Sequence, residues 1–267
     1  MSELNKIALK ILSNGKGILA ADESNGTMTK RLESVNVPSS PENRLLFRET
    51  LFSSSGMKDF IGGVILYDET INQTSNLKQT IPELISKSGA VPGIKVDTGA
   101  KILAGSHEEK ITEGLDGLRE RLQDYYKLGA RFTKWRGVYN INKECPSKIA
   151  IHSNAHALAR YSAIVQECGM VPIVEPEVLM DGDHSAEENF DQFSSSSINW
   201  PELMFIIFQI FQSDPPSEIE NASQLLSGLT LAADIATVPS SENKFGSMST
   251  LSLHESQSLT ISLFCCQ

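Results

Sequence analysis

Leu4, Ile7, Ala8 and Ile11 recur at i, i+3, i+4 and i+7, the spacing of one apolar helix face, and Gly15 or Gly17 is placed to end that helix. Five short apolar runs follow, at Gly17–Asp22 (GILAAD), Gly62–Asp68 (GVILYD after a first glycine), Pro92–Asp97, Phe132–Tyr139 and Val171–Val178. Their starts lie 45, 30, 40 and 39 residues apart, room each time for a strand, a helix and the return. Between them, Leu115, Leu118, Leu122 and Tyr125 follow helical spacing up to Gly129. Pro146 opens a further helix with Ile151, Ala155, Leu158, Ser162 and Val165 on one face, closed by Gly169. Strands alternating with helices predict an α/β fold with a parallel sheet.

Periodicity alone leaves two architectures, a barrel and an open doubly wound sheet. The polar positions favour the barrel. Three runs carry polar pairs two residues apart, Lys95/Asp97, Lys134/Arg136 and Glu175/Glu177, and a period of two puts each pair on one face. A polar file at the strand ends suits a (β/α)8 TIM barrel, where functional groups project toward the mouth from the C-terminal ends of the strands. Of eight β/α units, only five are recognisable, so the barrel is expected to be incomplete.

Composition changes this picture at one place. The 267 residues carry a net charge of −10, but the 82 residues after Ser185 hold ten acids against one base, Lys244, and 16 serines. Almost all of the negative charge therefore belongs to the last third, which marks either another domain or sequence not selected with the rest. We divide the chain into 1–188, the N-terminal part of a barrel domain, and 189–267, an acidic Ser-rich tail expected to be poorly ordered. The acidity argues against nucleic acid or an anionic membrane as partner. The most apolar run, Leu203–Phe211, is far short of the roughly 20 residues of a membrane span. Four scattered cysteines and an N-terminus without a signal-peptide pattern fit a reduced, cytoplasmic setting.

The polar pairs suggest chemistry. Glu175 and Glu177 on one strand face are expected to perturb each other's ionisation, yielding a proton carrier near neutral pH. Lys134 and Arg136 supply fixed positive charge for a phosphate or a developing oxyanion. Asp22 ends the first strand, and Ser24, Gly26 and Thr27 follow in a turn able to face an anion, with Lys30 and Arg31 beyond. These groups, with Asp68, read as a site for a phosphorylated small molecule; internal salt bridges filling a lumen are the alternative. His152 and His156, four apart, suit a solvated helix face better than a metal site. Cys168 reads as a small core residue, and Gly62 and Gly63 as a plain strand opening. No nucleotide-binding glycine motif occurs.

Gly17–Arg31 (GILAADESNGTMTKR), Ile61–Glu69, Gly93–Gly99 (GIKVDTG), Gly114–Arg119, Thr133–Arg136 (TKWR) and Val171–His184 (VPIVEPEVLMDGDH) closely resemble class I fructose-bisphosphate aldolase over roughly residues 3–188. The resemblance implies a metal-independent (β/α)8 barrel, usually a homotetramer, with no cofactor. It would cleave fructose bisphosphate to dihydroxyacetone phosphate and glyceraldehyde 3-phosphate through a lysine Schiff base, in glycolysis and, reversed, in gluconeogenesis. By the same resemblance Asp22 would assist Schiff-base chemistry and the 4-hydroxyl proton, and Glu175 would be the main acid–base group. Glu177 would orient the lysine side, and Lys134 would promote iminium formation. Ser24, Thr27, Lys95 and Arg136 would lie beside the 6-phosphate and Arg31 near the 1-phosphate. The family's Schiff-base strand has no counterpart: Trp200–Pro215 contains no lysine, and Lys244 sits in a polar Ser-Ser-Glu-Asn-Lys-Phe-Gly stretch. The chain as written is therefore expected not to turn over fructose bisphosphate; a non-catalytic binder of sugar phosphates or proteins is the alternative.

Overall fold

The structure, a computed structural model, describes residues 3–106, 108–179 and 182–185. Contacts divide the chain into Met1–Leu203 and Met204–Gln267, and every described residue belongs to the first unit. The expected tail from 189 onward, including Leu203–Phe211 and Lys244, lies outside the described residues.

Elements follow in the order α1 (Glu3–Leu12), β1 (Gly17–Ala21), α2 (Asn25–Glu33), α3 (Pro41–Phe52), α4 (Met57–Phe60), β2 (Ile61–Leu66), α5 (Asp68–Ile71), α6 (Ile81–Lys87) and β3 (Val91–Lys95). Then come β4 (Gly99–Ile102), β5 (Lys110–Glu113), α7 (Leu118–Leu128), β6 (Phe132–Tyr139), α8 (Lys148–Glu167) and β7 (Val171–Val178). All five predicted strands are present. The antiparallel hairpin β4–β5 was not predicted, because its short, mostly polar strands form no apolar run.

The helix ends are written locally. Ser24, Ser40 and Ser147 each accept a backbone N–H three residues on, and Thr80 forms a reciprocal capping box with Glu83. Pro146 therefore stands before the cap of α8 and does not open it, since Ser147 has the side-chain acceptor that the first free N–H groups need. Gly129 and Gly169 follow their helices at φ of 111° and 76°, as expected of glycines past a helix end.

The main sheet is wholly parallel with strand order β1-β2-β3-β6-β7. Each new strand adds on the same side of the last, the winding of a barrel; a doubly wound sheet reverses direction at a switch point. The sheet is five strands of such a barrel, curled and unclosed among the described residues. Its inner face is layered. Ile65, Val91 and Phe132 are buried against Ile11 of α1, with Ile7, Leu12, Ile18, Val171 and Ile173 packed around them. Leu4, Ile7, Ala8 and Ile11, with Leu12, are less exposed than the other residues of their helix. Gly62 is more than a strand opening: a Cβ there would overlap the Ile11 carbonyl, so α1 packs directly on backbone. Above this apolar layer stand the polar residues, one pleat beyond Phe132 on β6 and at or just past the ends of β1 and β3.

Candidate active site

Lys134 stands on β6, the fourth strand of the sheet, opposite Lys95 of β3 and Ile173 of β7. Its ammonium nitrogen lies 3.2 Å from Asp22 Oδ2 and 3.3 Å from Glu175 Oε2. Asp22 follows β1 directly, Lys134 is the third residue of β6 and Glu175 sits one pleat beyond Ile173 in β7, so three separate strands meet on one charge. Both carboxylates are buried, at 9% and 8% exposure. Behind them, the buried Tyr161 hydroxyl of α8 donates to the Ile173 carbonyl at 3.1 Å and shares a 2.6 Å bond with Thr133. That contact fixes β6 and β7 to the helix layer under the cluster.

Burial pushes the Glu175 carboxyl up to about 7; Lys134 and Arg136 oppose the rise, and the like charge of Asp22 adds to it. The upward shift expected of Glu175 is found, but burial causes it in place of the like charge of Glu177. Glu177 is not among the charges that act on Glu175; it pairs with Arg136 at 3.2 Å. Alternation along β7 keeps both on one face, but Val138 stands opposite Glu177 and Arg136 reaches it from the neighbouring strand. For Lys134, burial works against the charge, yet Asp22 and Glu175 outweigh it and raise the ammonium above its usual value.

The remaining predicted residues divide by place. Lys95 is held by the Asp97 carboxylate at 2.5 Å and the Asp97 carbonyl at 3.0 Å, next to Lys134 across the β3–β6 ladder. Arg136 is exposed. Ser24 and Thr27 are exposed at the start of α2, where they hydrogen-bond to each other at 3.1 Å. The Arg31 guanidinium pairs with Glu23, leaving Asp22 to Lys134. Asp68 stands apart from the cluster and accepts the Tyr125 hydroxyl at 2.8 Å, pushing that phenol up to about 12 with burial as the main cause. His152 and His156 are exposed, as expected. Among the described residues no group of three or more His, Cys, Asp or Glu is arranged to hold a metal. Cys168 is half-buried at the end of α8 and is not a core residue, because it occupies the capping position where the helix meets solvent.

Several supporting residues carried no sequence signal. Thr112 of the unpredicted hairpin donates to the Arg136 carbonyl at 2.6 Å, and Asn154 donates to Lys110 at 2.8 Å and accepts from Thr112 N at 3.3 Å. Arg48 on α3 reaches the Glu23 carbonyl. The half-buried polar β5 and the position of Arg44 and Arg48 one turn apart within α3 were the available hints.

A singly wound parallel sheet, apolar below and carrying a half-buried lysine between two buried carboxylates above, defines a protein of the β/α-barrel class. The family model for glycolytic class-I fructose-bisphosphate aldolase matches residues 3–193. A probable class 1 fructose-bisphosphate aldolase of Xylella fastidiosa is 50% identical over 191 residues, covering 72% of this chain and 57% of that protein. Rat fructose-bisphosphate aldolase B is 52% identical over 186 residues, covering 69% of this chain and 51% of its own. A solved Plasmodium falciparum fructose-bisphosphate aldolase, in complex with TRAP and a small-molecule inhibitor, superposes with TM-score 0.69 at 41% identity, covering 79% of this chain and 59% of that one. The chain belongs to the class-I fructose-bisphosphate aldolase family. It spans a little over half the length of these curated relatives.

Proposed function

We propose that the cluster of Asp22, Lys134 and Glu175 binds fructose bisphosphate and carries the acid–base groups that its cleavage to dihydroxyacetone phosphate and glyceraldehyde 3-phosphate requires. The observation that carries this reading is the Lys134 ammonium between Asp22 and Glu175, with Glu175 titrating near neutral pH. A carboxyl at about 7 holds and releases a proton with equal ease at physiological pH, the requirement for a group that serves as acid in one step and base in the next. Asp22 takes the 4-hydroxyl proton, Lys134 contacts the sugar and promotes iminium formation, and Glu177 orients and polarises the lysine side of the site. Ser24, Thr27, Lys95 and Arg136 face the 6-phosphate and Arg31 the 1-phosphate. The proposal includes no metal and no cofactor, a homotetramer as the assembly and the cytoplasm as its setting. No helix among the described residues is long and apolar enough to cross a membrane.

The Schiff-base amine is the part that these 267 residues do not offer at the family position, since Lys244 is the single lysine after Ser185. On this reading the chain by itself binds the sugar phosphate without turning it over. Titration with fructose bisphosphate, followed by amide NMR, is expected to shift signals near Asp22 and Lys134; an unchanged spectrum at millimolar ligand would reject the site. Borohydride reduction with dihydroxyacetone phosphate, read by peptide mass spectrometry, is expected to leave Lys95 and Lys134 unmodified. An adduct on either lysine would make the chain a catalyst in its own right. The absence of lysine from Trp200–Pro215 also favours a second reading, a purely binding protein, in which Glu175→Gln leaves sugar-phosphate affinity and its pH dependence unchanged.

A further inference from the structure

Arg48 of α3 is completely buried, at 0% exposure, although it carries a charge. Burial lowers its pKa, with Arg44 acting in the same direction and Glu23, Glu69 and Asp22 opposing it. An apolar side chain of similar length would fill this volume without the desolvation cost, so packing alone gives no reason for a guanidinium here. Its hydrogen bonds give one. One terminal nitrogen donates to the Glu23 carbonyl at 2.6 Å and lies 3.7 Å from the Glu23 carboxylate. The other donates to Thr70 Oγ1 at 2.7 Å, and the guanidinium carbon stands 6.0 Å from the centre of the Tyr67 ring. A single planar fork therefore ties the turn after β1 to the turn after β2.

Neighbouring ion pairs hold the same two turns. One helical turn earlier, Arg44 grips the Glu69 carboxylate with bonds of 2.8 and 2.6 Å. From α2, Arg31 pairs with the Glu23 carboxylate. Glu23 is thus engaged at both its carbonyl and its carboxylate by cations outside the cluster. The preceding residue, Asp22, directs its carboxylate to Lys134. We infer that Arg48 is a positioning residue: by fixing the Glu23 peptide it sets the Asp22 carboxylate within reach of the Lys134 ammonium. Arg48 touches neither that ammonium nor Glu175, and its effect passes through Asp22. The inference rests on the reading of Asp22, Lys134 and Glu175 as the acid–base cluster.

The test uses the full chain with Arg48→Lys, which retains the charge but cannot span both turns, and the milder Thr70→Val, which removes one anchor and leaves Arg48 in place. Each is made alone and together with Asp22→Asn. The readout is the Lys134 ammonium proton–nitrogen signal and its exchange with water, which carboxylate partners slow; amide spectra report whether each variant folds. With Asp22 intact, Arg48→Lys is expected to speed that exchange several-fold, and Thr70→Val to speed it less. With Asp22→Asn, neither variant changes it further. Equal acceleration in both backgrounds, or none with Asp22 present, would overturn the inference and leave Arg48 a purely structural residue. If Arg48→Lys does not fold, the Thr70→Val pair decides alone. Failure of the underlying reading looks different: Glu175 in the unaltered chain would titrate as an ordinary carboxyl, while the Lys134 comparison would still report on Asp22.

Discussion

Replacing Glu175 by Gln removes one titration from a buried cluster, and its sign and size follow from the structure. In the unfolded chain this carboxyl loses its proton near 4.5; in the folded chain it does so at about 7. Between these values the native state holds a proton that the unfolded state has released, so stability falls as pH rises through the window and is level above it. At about 1.4 kcal/mol per pH unit, the gap amounts to about 3 kcal/mol. Gln keeps the shape and stays neutral. Urea unfolding of both proteins from pH 4 to 8 is therefore expected to show the Gln variant gaining on the parent by about 3 kcal/mol across that range. Other titrating groups are common to both chains and cancel to first order, leaving Asp22, Lys134 and Arg136 as the coupled neighbours. Carbon-13 labelling of the Glu175 carboxyl gives the midpoint directly. A stability difference that does not vary with pH, or a midpoint near 4.5, would refute burial as the controlling cause.

Two further substitutions probe the layers around that residue. Lys134→Met removes the cation that holds the Glu175 carboxyl down and leaves it beside Asp22, so the carbon-13 midpoint is expected to rise above about 7 and the fold to lose about 3–5 kcal/mol. A midpoint that falls would show that Lys134 is not its partner. Gly93→Ala would push a methyl into the Phe132 ring, which is fully buried, at a cost of about 1–3 kcal/mol in urea unfolding. Combined with Phe132→Leu, the loss is expected to be less than the sum of the two single losses; strict additivity would mean that the two side chains do not meet.

The strands were legible because both requirements on them are local. Apolar runs such as Val64–Leu66 must be buried, and polar pairs such as Lys134/Arg136 must emerge on one face, whatever the rest of the chain does. Meeting of Asp22, Lys134 and Glu175 was legible only in part: the pairs pointed to strand ends, but which carboxylate faces which cation depends on the stagger of β6 against β7. That stagger gives Glu177 to Arg136 and leaves Glu175 with Lys134, reversing the like-charge explanation. The hairpin β4–β5 and Arg48 escaped notice for another reason. Thr112, Asn154 and Arg48 are polar residues whose burial is set by partners many residues away, and no short-range pattern records such partners.

The first helix has a consequence for the order of assembly. Ile11 packs against Ile65, Val91 and Phe132, and the same cluster includes Val171 and Ile173 of β7. A chain emerging from a ribosome at about 5–20 residues per second presents Leu12 on the order of 10–30 s before Val171. Through that interval α1 has an apolar stripe and only part of its socket, and the sheet has a lower face open to water. Of these elements α1 is made before the strands it packs on and completes its packing after them, and contacts of such sequence separation slow folding. For that period the nascent chain carries an apolar stripe on α1 without its full partner, a surface that a chaperone near the exit site would meet.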